Sequence, residues 1–238
     1  MSPHPFPTIA RKYFLLLLAP AFVALIAAID RAAEAPPAQP RRISSAEAHM
    51  DAAMGHRIDP LVADSIARGD MSGCVVLIGR REGIVFERAY GNRRVEPSKE
   101  PMTIDTLFDM ASLTKPLATA TSVMILLERG QIRLRDKVSK FFPDFAANGK
   151  EDVSIENLLT HSSGLIPDNP LSDYSEGWKS ALPKICDLKP TSEPGTHFKY
   201  SDINFILLGK IVEKVSGERE NEFVKREVYD KLGMRDTG

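Results

Sequence analysis

A serine and a lysine stand three residues apart in the stretch DMASLTKPLA, as Ser112 and Lys115. Residues at this spacing lie on one face of a helix, one turn apart, so the lysine can reach the serine hydroxyl. A serine needs a base to attack well, and a lysine can be that base when burial or a nearby positive charge lowers its pKa. Pro116 lacks a backbone N–H and suits only a first turn, which predicts that the helix begins near Ser112.

This spacing is not specific by itself, because a chain of this length has about one Ser-x-x-Lys by chance. The sequence contains the pattern only at 112–115. The plain alternative is a serine that caps a helix and a solvated lysine in the first turn. The surrounding elements and further motifs must decide between these two interpretations.

Composition indicates a globular protein with one sizeable domain or two small ones. The 238 residues are 43% hydrophobic, and 31 basic against 32 acidic side chains give a net charge of −1. This balance gives no reason to expect nucleic acid as a partner. Cys74 and Cys186 lack the spacing of a metal site, and the sequence leaves a disulfide between them open. No metal or cofactor is implied.

The N-terminus has the pattern of a targeting segment. Arg11 and Lys12 precede an apolar run over 13–29, and a small-x-small triplet follows at Ala33–Ala35. These features predict an export signal, although the run is also just long enough for an uncleaved membrane anchor. We therefore expect a periplasmic or extracellular protein, or one anchored in the inner membrane and facing the periplasm. The predicted parts are a signal or anchor over 1–35, a Pro-rich linker over 36–43 and a folded domain over 44–238.

The folded part begins with helical patterns, continues with strand patterns and then becomes helical again. Two helical pieces are expected before Gly69, the first capped by Ser44 or Ser45. The runs CVVLIG and IVFERAYG, separated by RREG, predict an antiparallel hairpin. Helical patterns follow at 117–130, 154–161, 203–217 and 220–233. The order suggests an α/β (α+β) fold, whose hairpin needs further strands because two strands alone are only marginally stable.

Three stretches in this order resemble one enzyme family. They are FDMASLTKPLAT (108–119), ENLLTHSSGL (156–165) and PGTHFKYSDINFILLGKIVEKVSG (194–217). Together they resemble the serine β-lactamase and penicillin-binding protein superfamily, closest to its class C β-lactamase-like branch of esterases and D-aminopeptidases. The resemblance covers about residues 60–238. It implies a β-lactamase/transpeptidase-like fold. The hairpin would be part of the sheet, the N-terminal helix would belong with it, and the later helices would form a helical subdomain.

The resemblance also implies residue roles. Ser112 would be the acylated nucleophile, Lys115 its activating partner, and Tyr200 the tyrosine of the family's Tyr-x-Asn motif. Asp202 stands where the family has the substrate-binding Asn, and a carboxylate only accepts hydrogen bonds where an amide also donates. If Asp202 faces the pocket, it would pair with Lys115 and keep that lysine charged. This departure favours an ester or a D-amino-acid peptide over a β-lactam as substrate.

Two further patterns receive no catalytic role. Tyr90-Gly91-Asn92 is a literal Tyr-x-Asn, but it follows a strand and is better explained as a turn. The resemblance makes His161 structural, at a helix end. The only tryptophan, Trp178, lies in a loop-rich region over 167–195, where it would either line the pocket rim or pack.

The family's third motif, Lys-Thr-Gly or His-x-Gly, has no match after Tyr200. We therefore expect the chain to be a fragment of a longer fold, with the C-terminal strands missing. The predicted function is a serine hydrolase that forms an acyl-enzyme on Ser112 with a small-molecule or peptide substrate: an ester, a D-amino-acid peptide or a β-lactam. The alternative is a non-catalytic truncated or degenerate relative that binds cell-wall peptide.

Overall fold

The computed structural model describes residues 40–238. It has the predicted α+β composition, with one small antiparallel sheet and a set of packed helices. The sheet contains β1 (Gly73–Arg80), β2 (Gly83–Arg94) and β3 (Glu100–Pro101), in the order β1-β2-β3. The predicted hairpin is confirmed, whereas the short β3 was not predicted.

The chain segment over 41–43 packs onto this hairpin. Ile43 N–H donates to the Ile84 carbonyl and Ile84 N–H donates to the Arg41 carbonyl, both at 2.9 Å. Ile43 is buried. At Gly83, a Cβ atom would collide with the Arg41 carbonyl oxygen, so only glycine allows this close approach. The end of the predicted linker, 36–43, therefore belongs to the folded domain, whereas the predicted signal or anchor over 1–35 lies outside the described residues.

The first predicted helical piece is wrong. Ser44 and Glu47 do form the reciprocal bonds of a capping box, with Ser44 N–H donating to the Glu47 carboxylate at 2.8 Å and Glu47 N–H donating to Ser44 Oγ at 3.2 Å. The chain nevertheless makes only turns here, because His49 takes a left-handed φ of 50°. The helix α1 runs instead over Met54–Ala67, through Pro60, and packs on β2.

Six α-helices follow the sheet in the described part of the chain, joined by loops and short 3₁₀ and π-helical turns. They are α2 (Thr121–Glu128), α3 (Val138–Phe141), α4 (Ile155–Leu159), α5 (Trp178–Asp187), α6 (Asp202–Ser216) and α7 (Glu220–Val224). Their apolar faces meet in one core whose large, fully buried members include Leu126, Phe145, Leu158, Ile185 and Leu207. Each such side chain contributes about 1.5–3 kcal/mol by leaving water, so this core holds the helical part together.

Local signals explain where α4 begins and where α6 ends. Ser154 caps α4 by accepting from the Asn157 N–H at 3.2 Å, while the Asn157 side chain accepts from the Ser154 N–H at 3.0 Å. The residue after α6, Gly217, takes the left-handed φ of 79° that such a helix end requires. Both predicted boundaries are confirmed.

The helix α5 lies in the region predicted to be loop-rich, and its stability depends on distant contacts. Trp178 packs edge-on against Phe142, with ring centroids 5.6 Å apart. The fully buried Lys150 donates to the Cys186 carbonyl at 2.8 Å and to the Leu188 carbonyl at 2.5 Å, at the end of α5. These groups satisfy helix carbonyls that would otherwise lack partners.

Within residues 40–238, no helix combines the length and apolar character needed to cross a membrane. The same part of the chain contains no group of His, Cys, Asp and Glu side chains arranged to hold a metal ion. Cys74 and Cys186 are both free thiols.

Candidate active site

Ser112 lies where an irregular loop becomes a helix. It is the central residue of a 3₁₀ turn, Ala111–Leu113, which leads through a π-helical turn, Lys115–Ala120, into α2. Ala111 takes a positive φ of 43°, unusual for a residue with a Cβ, and its N–H donates to Asp109 Oδ1 at 2.8 Å. The expected helix start near Ser112 is confirmed, but the first turns are not α-helical.

Two side chains contact the Ser112 hydroxyl. Lys115 Nζ donates to Ser112 Oγ at 3.2 Å. The Tyr200 hydroxyl, 88 positions along the chain, is hydrogen bonded to the same oxygen at 2.9 Å. The fold thus brings the three predicted catalytic side chains into one hydrogen-bonded group.

Tyr200 reaches this position because its neighbours are fixed to the loop that follows α4. Lys199 N–H donates to the His161 carbonyl at 2.8 Å. On the other side, Ser201 Oγ donates to the Ile166 carbonyl at 2.7 Å, and Asp202 N–H donates to the Pro167 carbonyl at 2.8 Å. The loop over 161–167 is therefore the support on which the tyrosine is placed.

The neighbours of Tyr200 make its hydroxyl more acidic. A hydrogen bond with Lys115, and a second with Ser112, lower the pKa of Tyr200 below its usual value, and the lysine charge acts in the same direction. The Lys115 ammonium also lies 5.1 Å from the centre of the Tyr200 ring. A phenol with a lowered pKa is better suited to accept a proton near neutral pH.

Asp202, the first residue of α6, contacts the lysine directly. Its Oδ1 lies 2.6 Å from Lys115 Nζ. Partial burial alone would lower the pKa of Lys115, but hydrogen bonds with Asp202 and Tyr200 outweigh it, so the pKa of this lysine is raised. The ion pair that we expected if Asp202 faced the pocket is therefore present, and it favours the charged form of Lys115.

An open cleft of about 550 Å³ lies beside these residues. Its lining includes Ser112, Lys115, Thr119, Asp168, Leu171, Tyr174, Asp202, Phe205 and Glu220. Sequence reasoning missed Thr119, Asp168 and Glu220, since no motif marks them and only the packing of α7 against the π turn brings Glu220 there. Burial raises the pKa of Glu220, and its Oε1 is a buried oxygen without a hydrogen-bond partner in the structure. The cleft thus presents the Ser112 hydroxyl and the Lys115 ammonium together with several carboxyl groups.

The other residues singled out from sequence lie outside this group. Tyr90 is in β2, where its hydroxyl donates to Asp59 Oδ1 at 2.7 Å. Trp178 packs against the core at Phe142 and does not line the cleft. His161 packs on the Tyr200 ring, with ring centroids 4.5 Å apart, and makes no hydrogen bond to Ser112 in the described part of the chain.

Comparison with known proteins gives a single family. The sequence matches the family described as Beta-lactamase over residues 50–238. It is 28% identical to the N-acetylmuramyl-L-alanine amidase of Bacillus subtilis, over 84% of this chain and 49% of that protein. It is 31% identical to esterase EstB of Burkholderia gladioli, over 79% of this chain and 52% of that protein.

A solved class C β-lactamase superposes with a TM-score of 0.68 and 26% identity, over 78% of this chain and 50% of that one. The chain spans about half the length of the curated relatives it matches. The match of 50–238 takes in both the Ser112 turn and the Tyr200 segment. The chain belongs to the serine β-lactamase and penicillin-binding protein superfamily, a family of serine hydrolases.

Proposed function

We propose that the protein is a serine hydrolase that forms an acyl-enzyme on Ser112. The observation that carries this proposal is the position of the Ser112 hydroxyl, within hydrogen-bond distance of both Lys115 Nζ and the Tyr200 oxygen. A nucleophile bonded to a proton acceptor, with a cation beside that acceptor, is the arrangement that covalent catalysis by serine requires.

The proposed reaction begins when Ser112 Oγ attacks the substrate carbonyl carbon. The hydroxyl proton passes to the Tyr200 oxygen, and the same tyrosine returns it to the departing alcohol or amine as the carbonyl–heteroatom bond breaks. Water then attacks the acyl group on Ser112 and gives one proton to Tyr200. The tyrosine passes this proton to Ser112 Oγ as the acyl–oxygen bond breaks, which releases the acid and restores the serine hydroxyl. Throughout these steps Lys115 remains a cation, which stabilises the tyrosinate.

The substrate proposed is an ester or a D-amino-acid peptide. Asp202 stands in the cleft beside Lys115. An ionised carboxylate there accepts hydrogen bonds but cannot donate one to a substrate carbonyl, as an amide side chain could. The cleft therefore lacks, at this position, the donor that a β-lactam's amide carbonyl would use.

A fluorophosphonate probe tests the assignment, applied to the protein at its full natural length. We expect one adduct on the Ser112 peptide by mass spectrometry, and none in Ser112→Ala. The matched control is Ser98→Ala, which removes an exposed serine between β2 and β3 and should label like wild type. Equal labelling of Ser112→Ala and wild type would reject Ser112 as the nucleophile. Binding of muropeptide without any adduct would instead support the non-catalytic alternative.

We also propose that the protein acts outside the cytoplasm, either released or attached to the membrane. The basis is the sequence alone, with Arg11 and Lys12 ahead of the apolar run over 13–29. N-terminal sequencing of the protein recovered from the periplasm and from membranes would decide between cleavage near Ala35 and a retained anchor. Recovery of the intact chain from the cytoplasm alone would contradict the export proposal.

A further inference from the structure

His161 is the residue of the site's surroundings that the proposed chemistry leaves without a role. It follows α4 and takes a left-handed φ of 54°. Such a conformation is uncommon for a residue with a Cβ, and it turns the chain toward the Tyr200 segment. The His161 carbonyl accepts the Lys199 N–H at 2.8 Å. The histidine is therefore attached by its own backbone to the residue before Tyr200.

The imidazole makes a second attachment, on the other side of the tyrosine. Nδ1 of His161 accepts the Ser201 N–H at 3.2 Å. The same nitrogen lies 3.2 Å from Nδ2 of Asn204, on the first turn of α6. One acceptor nitrogen thus faces two N–H donors, one from the residue directly after Tyr200.

The orientation of the Asn204 amide follows from its other partner. Ser163 Oγ accepts the Leu165 N–H at 3.2 Å, so the hydroxyl hydrogen is available for Asn204 Oδ1, which lies 2.6 Å away. With Oδ1 facing the serine, the Nδ2 donor must face His161. Nδ1 therefore carries no proton, and the neutral imidazole has its hydrogen on Nε2.

The face of the ring supports the tyrosine directly. The His161 and Tyr200 ring centroids are 4.5 Å apart and tilted by 33°. Phe205 lies 5.1 Å from the imidazole centroid, and Phe198 meets it edge-on at 6.0 Å. The tyrosine ring therefore rests on the imidazole while its hydroxyl points to Ser112.

The charges around the ring also favour the neutral form. Burial lowers the pKa of His161, the Lys115 cation lowers it further, and Asp202 opposes them. In the described part of the chain, three titratable groups face this ring. They are Lys115 on the π turn, Tyr200 just before α6 and Asp202 at the start of α6. A second ring proton would turn the Nδ1 acceptor into a donor opposed to two other donors.

We propose that His161 is a positioning residue, whose neutral imidazole holds Tyr200 against the Ser112 oxygen through Nδ1 and the ring face. The proposal rests on the proposed function for its catalytic consequence. Its structural content is independent: without the Nδ1 acceptor, the tyrosine hydroxyl leaves Lys115 and Ser112.

The test compares His161→Asn with His161→Gly in the full natural protein. Both residues tolerate the left-handed backbone, so neither variant is strained at this position. The Asn side-chain oxygen lies about where Nδ1 does and can accept the Ser201 N–H, whereas glycine offers no side-chain acceptor. Thermal unfolding of both variants checks that the fold is retained.

The first readout is the ionisation of Tyr200, which requires no turnover. It is measured as the tyrosinate absorbance lost on Tyr200→Phe, in each His161 background. We expect Tyr200 to ionise below the usual tyrosine range in wild type and in His161→Asn, and within that range in His161→Gly. An unchanged Tyr200 titration in His161→Gly would overturn the proposal, whether or not the protein is an enzyme.

The second readout is the rate of fluorophosphonate labelling at Ser112. We expect His161→Gly to label about ten- to a hundredfold more slowly than wild type, since a small displacement of a proton acceptor costs this much. His161→Asn should recover most of the loss. Equal slow labelling by both variants would show that the acceptor is not what matters. If wild type itself does not label, the proposed function fails, and the Tyr200 titration still decides the role of His161.

Discussion

Lys115 Nζ and Asp202 Oδ1 are 2.6 Å apart, so the cation next to the candidate nucleophile has a carboxylate partner of its own. This ion pair determines which of the groups around Ser112 can accept a proton. A lysine paired in this way keeps its proton and cannot take another from the serine, and its charge instead lowers the pKa of the neighbouring Tyr200. In the proposed mechanism the tyrosine is therefore the proton acceptor, and the lysine is the electrostatic support.

Replacement of Asp202 by Asn tests the roles proposed for Lys115 and Tyr200. The carboxylate raises the pKa of Lys115, so Asp202→Asn lowers it, and the lysine then loses its proton at a lower pH. Because the charged lysine is needed to keep the tyrosine ionised, we expect the alkaline limb of the fluorophosphonate labelling rate to move to lower pH. The measurement is the labelling rate against pH.

Asp168→Asn is the matched control for this prediction. Asp168 is another carboxylate of the same cleft, and its Oδ1 accepts the Asn169 N–H at 2.8 Å. This variant should leave the alkaline limb in place. An alkaline limb that stays in place in Asp202→Asn would contradict the electrostatic role proposed for Lys115.

Removal of the Tyr200 hydroxyl should abolish most of the activity without affecting the fold. The side chain is 43% exposed and its hydroxyl bonds to Ser112, so Tyr200→Phe costs little core packing. Loss of a positioned general base typically slows a reaction by about 10²–10⁴-fold, and we expect a labelling rate reduced by about this factor. Tyr90→Phe, at the literal Tyr-x-Asn in β2, should label at the wild-type rate.

The parts of the fold that the sequence predicts are those fixed by neighbours in the chain. Short runs rich in β-branched and aromatic residues form the hairpin, and Ser154 with Asn157 and then Gly217 determine where α4 begins and α6 ends. Capping chemistry alone was misleading at Ser44, where His49 stops the turn from becoming a helix. Local pattern thus predicts an element only where the following residues continue it.

What the sequence does not show depends on distant contacts. The helix α5 contains Pro183, which hides its pattern, and Lys150 reaches its end from 36 positions away. In the site, the motifs identify the residues in contact with Ser112, but Glu220 enters the cleft only through the packing of α7. Sequence therefore predicts the residues that contact Ser112 better than the residues that line the rest of the cleft.

Gly164, in the loop that supports Tyr200, should not tolerate a side chain. It has a φ of 81°, and a Cβ there would collide with the Ser192 carbonyl oxygen. Its own carbonyl accepts the Thr191 N–H at 2.8 Å. We expect Gly164→Ala to lower both the free energy of unfolding and the labelling rate at Ser112.

Gly130→Ala is the control, because Gly130 has a similar φ of 68° with no other atom within 4 Å of the added Cβ. It should cost only the backbone strain, about 1–2 kcal/mol, and leave labelling unchanged. Denaturant unfolding measures the two costs. Equal losses of stability would mean that the Ser192 contact relaxes freely.

Glu227 joins the end of the described chain to α2 through buried charge. Its side chain is 3% exposed and lies 2.6 Å from Arg129 Nη2 and 2.6 Å from Lys231 Nζ, with Arg226 as a third partner. The hydrogen bond from Arg129 is the main reason that the pKa of Glu227 falls to about 2, and Lys231 and Arg226 add to it. The ionised form of Glu227 is thus much more stable, relative to the protonated form, in the folded state than in the unfolded state.

Glu227→Gln should therefore destabilise the protein in a pH-dependent way. At neutral pH we expect a loss of about 1–3 kcal/mol in the free energy of unfolding, as for a buried hydrogen-bonded group that loses its charge. The folded pKa lies below the unfolded value, so this contribution is complete above pH 4.5 and disappears as the pH falls toward about 2. Denaturant unfolding at several pH values should show the two proteins converging in acid. Glu128→Gln, at an exposed position of α2, should unfold like wild type throughout, and a pH-independent loss in Glu227→Gln would mean that packing and not charge is responsible.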